Sequence, residues 1–103
     1  MHIVALSALA AFYGNPAYRD AEGALKAWYD VARFARWTSP QDVKNAYRNA
    51  SIIENNRVVF NIKGNDYRLI VAFAYRMGYG YIKFVGTHAQ YDQIDAATVD
   101  QSK

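Results

Sequence analysis

The fold is decided by the second half of the chain, residues 57–92, which read RVVFNIKGNDYRLIVAFAYRMGYGYIKFVGTHAQYD. Apolar and polar residues alternate through much of this stretch, as they do in strands that bury one face. Gly64-Asn65 and Met77-Gly78 interrupt the alternation with residues that are typical of tight turns. The pattern predicts an antiparallel meander of three strands, Arg57–Lys63, Asp66–Arg76 and Tyr79–Gly86.

The chain before this stretch is predicted to be mainly helical. Ser7 is expected to cap a short helix that runs from Ala8 to about Tyr13, and a helical spacing of apolar residues predicts a longer helix over Ala17–Trp37. A further helix is expected to begin at Ser39-Pro40, where the serine caps and the proline takes the first helical position. Helices followed by a meander indicate an α+β domain whose helices pack on one face of the sheet.

Length and composition limit the class of protein. The 103 residues are enough for a single domain, 1–103, with its own core, and residues from about 96 onward are expected to form a fraying helix or a free tail. The chain has no apolar run near the roughly 20 residues that a membrane span needs. Its first residues lack the cationic region of a signal peptide. With no cysteine, disulfides and zinc–thiolate sites are excluded. We therefore expect a cytoplasmic protein that does not associate with membranes.

The charge is distributed unevenly along the chain. The net charge is +3, and residues 57–88 contain five cationic side chains with Asp66 as the single acid. The residues that follow are acidic, with three aspartates against Lys103. Positive surface of this kind attracts polyanions by releasing their counterions. The imbalance favours a nucleic acid as partner, but charge alone does not decide the question.

Strand parity predicts which residues share a face of the sheet. The helix-side face is expected to hold the bulky residues Val58, Phe60, Ile62, Tyr67, Leu69, Val71, Phe73, Tyr75, Ile82 and Phe84. The opposite face is expected to be open and cationic, shallow at Ala72 and Ala74, with Val85 pointing outward and with Asn61, Lys63, Arg68, Tyr81 and Lys83. Such a face suits RNA. An ordinary solvated sheet face is the alternative.

Several segments resemble the HigB family of toxins from bacterial toxin–antitoxin pairs. They are NRVVFNIKGNDYRLIVAFAY, YIKFVGTHAQYD and the helical LKAWYDVARFARWTSPQDVKNAY, and the resemblance runs from Met1 to roughly Ile94. It implies a RelE-like fold with a short C-terminal helix and cleavage of messenger RNA on the translating ribosome. It also implies inhibition by a helix-turn-helix, HigA-like antitoxin, with operator DNA bound only through the antitoxin complex.

The resemblance and the residue types together suggest a catalytic set. Arg68 corresponds to the sheet arginine of RelE-like toxins, and its guanidinium can hold two phosphate oxygens. His88 is the natural general acid or base, and Tyr91 can stack on a base or assist proton transfer. Lys83 is expected to stabilise the transition state. Other RelE-like toxins carry a second arginine near the position of His88, so the division of acid and base work is left open.

Further residues are expected to contact RNA, and no cofactor is expected. The RNA contacts are Asn61, Lys63, Asn65, Tyr81 and Thr87. No metal site is expected, because the aspartates are scattered and neither histidine has a partner at ligand spacing. Without a metal, RNA can be cleaved by its own 2′-OH, which gives a 2′,3′-cyclic phosphate and a free 5′-OH.

Structural roles are the alternatives for each of these residues. Arg68 can lie along the sheet surface, His88 can serve the helix that it starts, Tyr91 can pack on the sheet, and Lys63 and Lys83 can be solvated. The competing function is a catalytically inactive RelE-like module that pairs with the antitoxin and acts in DNA-bound autorepression. A purely structural α+β domain is the third reading.

Overall fold

Five strands form one mixed sheet in the computed structural model, which describes residues 1–102. The sheet order is β1-β5-β4-β3-β2, with β1 parallel to β5 and every other pair antiparallel. The three-stranded meander is thus confirmed, and a short strand lies at each edge of it. The strands are β1 His2–Val4, β2 Ser51–Ile53, β3 Arg57–Ile62, β4 Tyr67–Ala74 and β5 Tyr79–Thr87.

The helices of the first half of the chain pack on one face of this sheet and a short helix follows its last strand, which confirms the α+β class. They are α1 Ser7–Tyr13, α2 Glu22–Phe34, α3 Pro40–Ala46 and α4 His88–Tyr91, with 3₁₀ turns at Pro16–Ala21 and Tyr75–Met77. Among the helices of residues 1–102, none is both long enough and apolar enough to cross a membrane. The short α4 directly follows β5, as the resemblance implied.

The starts of the helices agree only in part with the predicted caps. Ser39 caps α3, since its hydroxyl accepts from the Asp42 N–H at 3.3 Å. Ser7 lies within α1 and makes no cap. The predicted helix Ala17–Trp37 is shorter, because the segment that follows Pro16 forms a 3₁₀ turn and the backbone becomes extended at Ala35.

The main core lies between the helices and the sheet. Trp28 of α2 packs edge-on against Phe60 of β3, with ring centroids 5.3 Å apart, and Leu25 and Val43 are fully buried beside the strands. The predicted helix-side residues of β3 and β4 all belong to this core. Strand alternation therefore assigned the faces of these two strands correctly.

A β-bulge in β5 changes the parity of its second half. Ile82 pairs with Val71 and Phe84 pairs with Ile70, so that Lys83 is the extra residue. As a consequence, Phe84 lies on the face away from the helices and Val85 lies on the helix side. Both predicted orientations were wrong, because one inserted residue reverses the alternation beyond it.

The C-terminal tail, residues 94–101, lies across the second face of the sheet. Its side chains pack, together with Tyr91, on a small apolar cluster of Val59, Ile70 and Phe84. The Arg57 guanidinium donates to the Ala96 and Val99 carbonyls at 2.9 and 2.6 Å. The sequence favoured a fraying helix or a free end here. The centre of the predicted open face is therefore covered.

Candidate active site

Arg68 lies in β4, where three hydrogen bonds hold its guanidinium. It is directly opposite Asn61 on β3 and Gly86 on β5. Nη1 donates to the carbonyls of Asn65 and Tyr67 at 3.1 and 3.2 Å, and Nη2 donates to Asn65 Oδ1 at 3.4 Å. Only 9% of the residue is exposed. A guanidinium has five N–H groups, so within residues 1–102 some donors remain for a ligand.

Tyr91 of α4 is the aromatic neighbour of this arginine. The Arg68 Cζ atom lies 5.8 Å from the centroid of the Tyr91 ring, within the range of a cation–π contact. The ring also approaches Phe84, with centroids 6.4 Å apart. The phenol is thus fixed beside the guanidinium by packing, and the two predicted residues belong to one site.

A capping box fixes the start of α4. Thr87 Oγ1 accepts from the Gln90 N–H at 3.0 Å, and Gln90 Oε1 accepts from the Thr87 N–H at 2.9 Å. The Gln90 amide also donates to the Tyr18 hydroxyl at 3.1 Å. Thr87 was predicted to contact RNA, whereas the structure places it at the cap. Gln90 was missed, although Thr-x-x-Gln is the sequence signature of such a box.

His88 is the first residue of α4, one turn before Tyr91. Its backbone N–H donates to the Asp66 carbonyl at 3.1 Å, which ties α4 to the β3–β4 turn. The imidazole is 52% exposed, and its Nε2 lies 3.6 Å from the Asp92 carboxylate. The ring can therefore meet a substrate from solvent, with a carboxylate near enough to pair with the imidazolium.

Lys63 lies on the helix side and does not share a face with Arg68. Its Nζ contacts Asp20 at 2.8 Å and Asp66 at 3.6 Å, and the Tyr67 hydroxyl also donates to Asp20. The hydrogen bond from Lys63 lowers the pKa of Asp20 and raises the pKa of Lys63 itself. The predicted grouping of Lys63 with Arg68 was wrong, because β3 ends at Ile62 and Lys63 begins the turn with φ 53°.

Lys83 lies on the second face but apart from Arg68. It lies three positions before Gly86, the partner of Arg68, a distance of roughly 10 Å along a strand. Its ammonium contacts Asp100 at 3.3 Å, and the Lys83 side chain is 22% exposed. Hydrogen bonds from Ser102 and, more weakly, from Lys83 lower the pKa of Asp100 to about 2. The C-terminal tail thus forms an ion pair with Lys83.

Of the remaining residues predicted to contact RNA, two lie beside Arg68 and one lies beside Lys83. Asn61 is exposed opposite Arg68, Asn65 holds the guanidinium, and Tyr81 lies beside Lys83, whose Nζ is 5.8 Å from the ring centroid. Within residues 1–102, no group of three or more His, Asp or Glu side chains could hold a metal ion. We use the name "arginine site" for the cluster at the α4 end of the sheet, which comprises Asn61, Asn65, Arg68, His88 and Tyr91.

Comparison with known proteins gives one family. The family model of HigB_toxin, described as the RelE-like toxic component of a toxin-antitoxin system, matches residues 21–94. A search of curated proteins gives no match. The matched range contains the whole arginine site and ends at the first residue of the C-terminal tail.

Proposed function

Because this chain belongs to the HigB family, the RelE-like toxic components of toxin–antitoxin systems, we propose that it is an endoribonuclease that cleaves messenger RNA on the translating ribosome. The observation that carries the proposal is the arginine site. A guanidinium with N–H groups to spare lies against the ring of Tyr91, and the exposed His88 lies one helical turn before that tyrosine in α4.

The proposed reaction uses the 2′-OH of the substrate as the nucleophile. The 2′-oxygen attacks the adjacent phosphorus while the 5′-oxygen of the next nucleotide leaves, giving a 2′,3′-cyclic phosphate and a 5′-OH. The proton of the 2′-OH passes to a base, and an acid protonates the leaving oxygen. His88 takes one of these roles, and Tyr91 is the candidate for the other. Arg68 stabilises the charge that develops on the phosphate oxygens.

The proposed set of catalytic residues is smaller than the sequence predicted. The set predicted from the sequence also included Lys83, as a stabiliser of the transition state. Lys83 is distant from Gly86, the strand partner of Arg68, and it contacts Asp100. Both observations argue that Lys83 does not contact the reacting phosphate. Asn61 and Asn65 are retained, because one is exposed opposite Arg68 and the other holds its guanidinium. Asn61 would contact the RNA backbone next to the scissile phosphate.

The proposed partners follow from the family. A toxic component is controlled by its antitoxin, which we propose to be a helix-turn-helix protein that carries the complex to operator DNA. This chain then contacts DNA only as part of that complex. Its substrate is on the ribosome, so we place the protein in the cytoplasm.

The decisive experiment maps messenger RNA ends in translating cells that express the chain. Wild type is expected to arrest growth and to produce new 5′-OH ends. Arg68→Ala and His88→Ala are expected to lower the cleavage by at least about 100-fold, the usual scale for losing one such group. Arg36→Ala is the matched control, because Arg36 is an exposed cation outside the site. Absence of both growth arrest and cuts from the wild type contradicts the proposal.

An inactive binding module is the second candidate. The observation that favours it is the burial of Arg68 and its bonds to main-chain carbonyls, which are typical of an arginine that holds a turn in place. In that case the purified chain binds its antitoxin, while no cuts appear in cells that express the wild type. Antitoxin binding alone does not separate the two functions, but cleavage does.

A further inference from the structure

Three aromatic side chains lie together at the end of the sheet that is remote from α4. His2 of β1 pairs with Tyr79 of β5, and the two ring centroids are 4.9 Å apart. Tyr81 follows on the same side of β5, with its centroid 6.0 Å from that of Tyr79. We call His2, Tyr79 and Tyr81 the aromatic shelf. It lies on the second face of the sheet, since the intervening Gly80 pairs with the helix-side Phe73.

The neighbouring strand leaves space beside each tyrosine. Ala74 of β4 pairs with Tyr79, and Ala72 pairs with Tyr81. Both alanines are partly exposed, as are both tyrosines, and His2 is exposed. The tail borders the shelf, since it packs on the cluster that contains Ile70 and Phe84 and its Asp100 contacts Lys83. Because each tyrosine ring lies next to a small alanine side chain, the surface has shallow depressions that can accept a planar base.

Two cationic side chains lie near the aromatic shelf, Lys83 beside Tyr81 and Arg76 in the turn before Tyr79, and Lys83 also contacts Asp100 of the tail. The Lys83 ammonium is 5.8 Å from the centroid of the Tyr81 ring. Arg76 is exposed in the 3₁₀ turn that leads into β5. Aromatic rings with adjacent cations are the combination that binds unstacked bases and the backbone that carries them. We therefore take single-stranded RNA as the occupant, and binding of a protein partner is an outcome of the test below.

We propose that the aromatic shelf stacks bases of single-stranded RNA, in the part of the substrate that lies beyond the phosphate held at the arginine site. Ala74 lies six positions after Arg68 on β4, which is roughly 20 Å, and the C-terminal tail crosses the face between them, so several nucleotides would pass over the tail. Both lie on the second face of the sheet. This inference rests on the proposed function, because it takes RNA to be the substrate.

The test measures binding of a fluorescein-labelled 2′-O-methyl RNA heptamer, which has no free 2′-OH and cannot be cleaved by the proposed route. Tyr79→Leu and Tyr81→Leu are each expected to weaken binding by about 5- to 100-fold, the range for losing one stacked base. Tyr79→Phe and Tyr81→Phe retain the ring and are expected to stay within about twofold of wild type. Phe34→Leu is the matched control, since it removes a 74% exposed ring on α2.

Salt dependence separates the shelf from the arginine site. The leucine variants should leave the slope of log affinity against log salt unchanged, because stacking releases no counterions. Arg68→Ala should reduce that slope by about one. If folded leucine variants bind the heptamer like wild type, or if the phenylalanine variants lose as much as the leucine variants, the proposal is overturned. Loss of antitoxin binding with RNA binding intact overturns it too and makes the shelf a protein surface.

The same variants distinguish failure of the shelf from failure of the proposed function. If the wild type cuts no messenger RNA but the leucine variants still bind the heptamer more weakly, the nuclease proposal is wrong and the proposal that the shelf stacks bases is supported. If the wild type cuts messenger RNA and the leucine variants bind and cut as well as the wild type does, the stacking proposal is wrong and the nuclease proposal is supported.

Discussion

At the scale of single residues, the arginine site depends on how Arg68 is held. The guanidinium donates to two main-chain carbonyls and to the Asn65 side chain, and it lies against the ring of Tyr91. A planar group with several donors can make these contacts and still offer N–H groups to a phosphate. An ammonium on a flexible stem cannot do both.

Arg68→Lys therefore tests geometry at constant charge. We expect the lysine variant to lose about 10- to 100-fold in cleavage rate, because charge-assisted hydrogen bonds contribute about 1.5–3 kcal/mol each. The measurement is the rate of messenger RNA cleavage in a translation extract. Arg36→Lys makes the same change at an exposed position outside the site and should have no effect. Full activity of Arg68→Lys would show that charge alone suffices there.

Gly86 is a second residue of interest, because the space around it does not admit a larger side chain. A Cβ atom at this residue would lie 2.6 Å from Phe84 Cζ and 2.8 Å from Gln90 Oε1, both of which belong to the support of α4. We expect Gly86→Ala to lower the free energy of unfolding by about 1–3 kcal/mol through overpacking, measured by urea titration. Gly23→Ala should act in the opposite direction by about 0.5–1 kcal/mol, since Gly23 lies in α2 with open space around it. Equal effects of the two changes would contradict this account.

At the scale of elements, two short segments give the site its form. The bulge at Lys83 turns Phe84 toward the second face, where it supports Tyr91. The four-residue α4 then presents His88 and Tyr91, and its capping box connects it to β5. A helix this short is not stable by propensity alone, so its caps and its packing determine its position.

Thr87→Ala tests whether the capping box supports activity. The loss of a cap should lower the free energy of unfolding by about 1 kcal/mol. Cleavage should fall as well, because His88 and Tyr91 follow directly on the cap. Ser39→Ala removes the cap of α3 and should cost a similar stability without loss of cleavage. Urea titration and a cleavage assay on both variants decide the matter, and an equal loss of activity in the two would exclude a specific role for the α4 cap.

At the scale of the whole molecule, the sequence predicted the α+β class, the meander and the faces of β3 and β4. Those features follow from local alternation and turn residues, as at Gly64 and Gly78. It did not predict the orientations of Phe84 and Val85, because a bulge is a property of strand pairing. Nor did it place the tail, whose contacts with Arg57 and Lys83 join residues 17 to 42 positions apart. Parity correctly placed Asn61, Arg68 and Lys83 on one face, but it wrongly added Lys63, which lies on the helix side.

Two carboxylates with lowered pKa values predict how stability depends on pH. The pKa of Asp100 is about 2 in the folded chain against an ordinary value of 3.8, and Lys63 and Tyr67 lower that of Asp20. Between about pH 4 and pH 2 the unfolded chain therefore binds more protons than the folded one, and stability falls as the pH falls through this window. Above the ordinary pKa the contribution of both carboxylates is complete and constant.

Urea midpoints between pH 6 and pH 2 measure this dependence. We expect Asp100→Asn to lower the midpoint at pH 6 and to flatten its fall below pH 4, since the asparagine cannot titrate and cannot form an ion pair with Lys83. Asp30→Asn is the matched control, because the Asp30 carboxylate is 72% exposed and lies 4.0 Å from its cationic neighbour Arg33. That variant should follow the wild-type curve. If the stability of Asp100→Asn falls below pH 4 as that of the wild type does, the hydrogen bonds of Asp100 with Ser102 and Lys83 do not lower its pKa in solution.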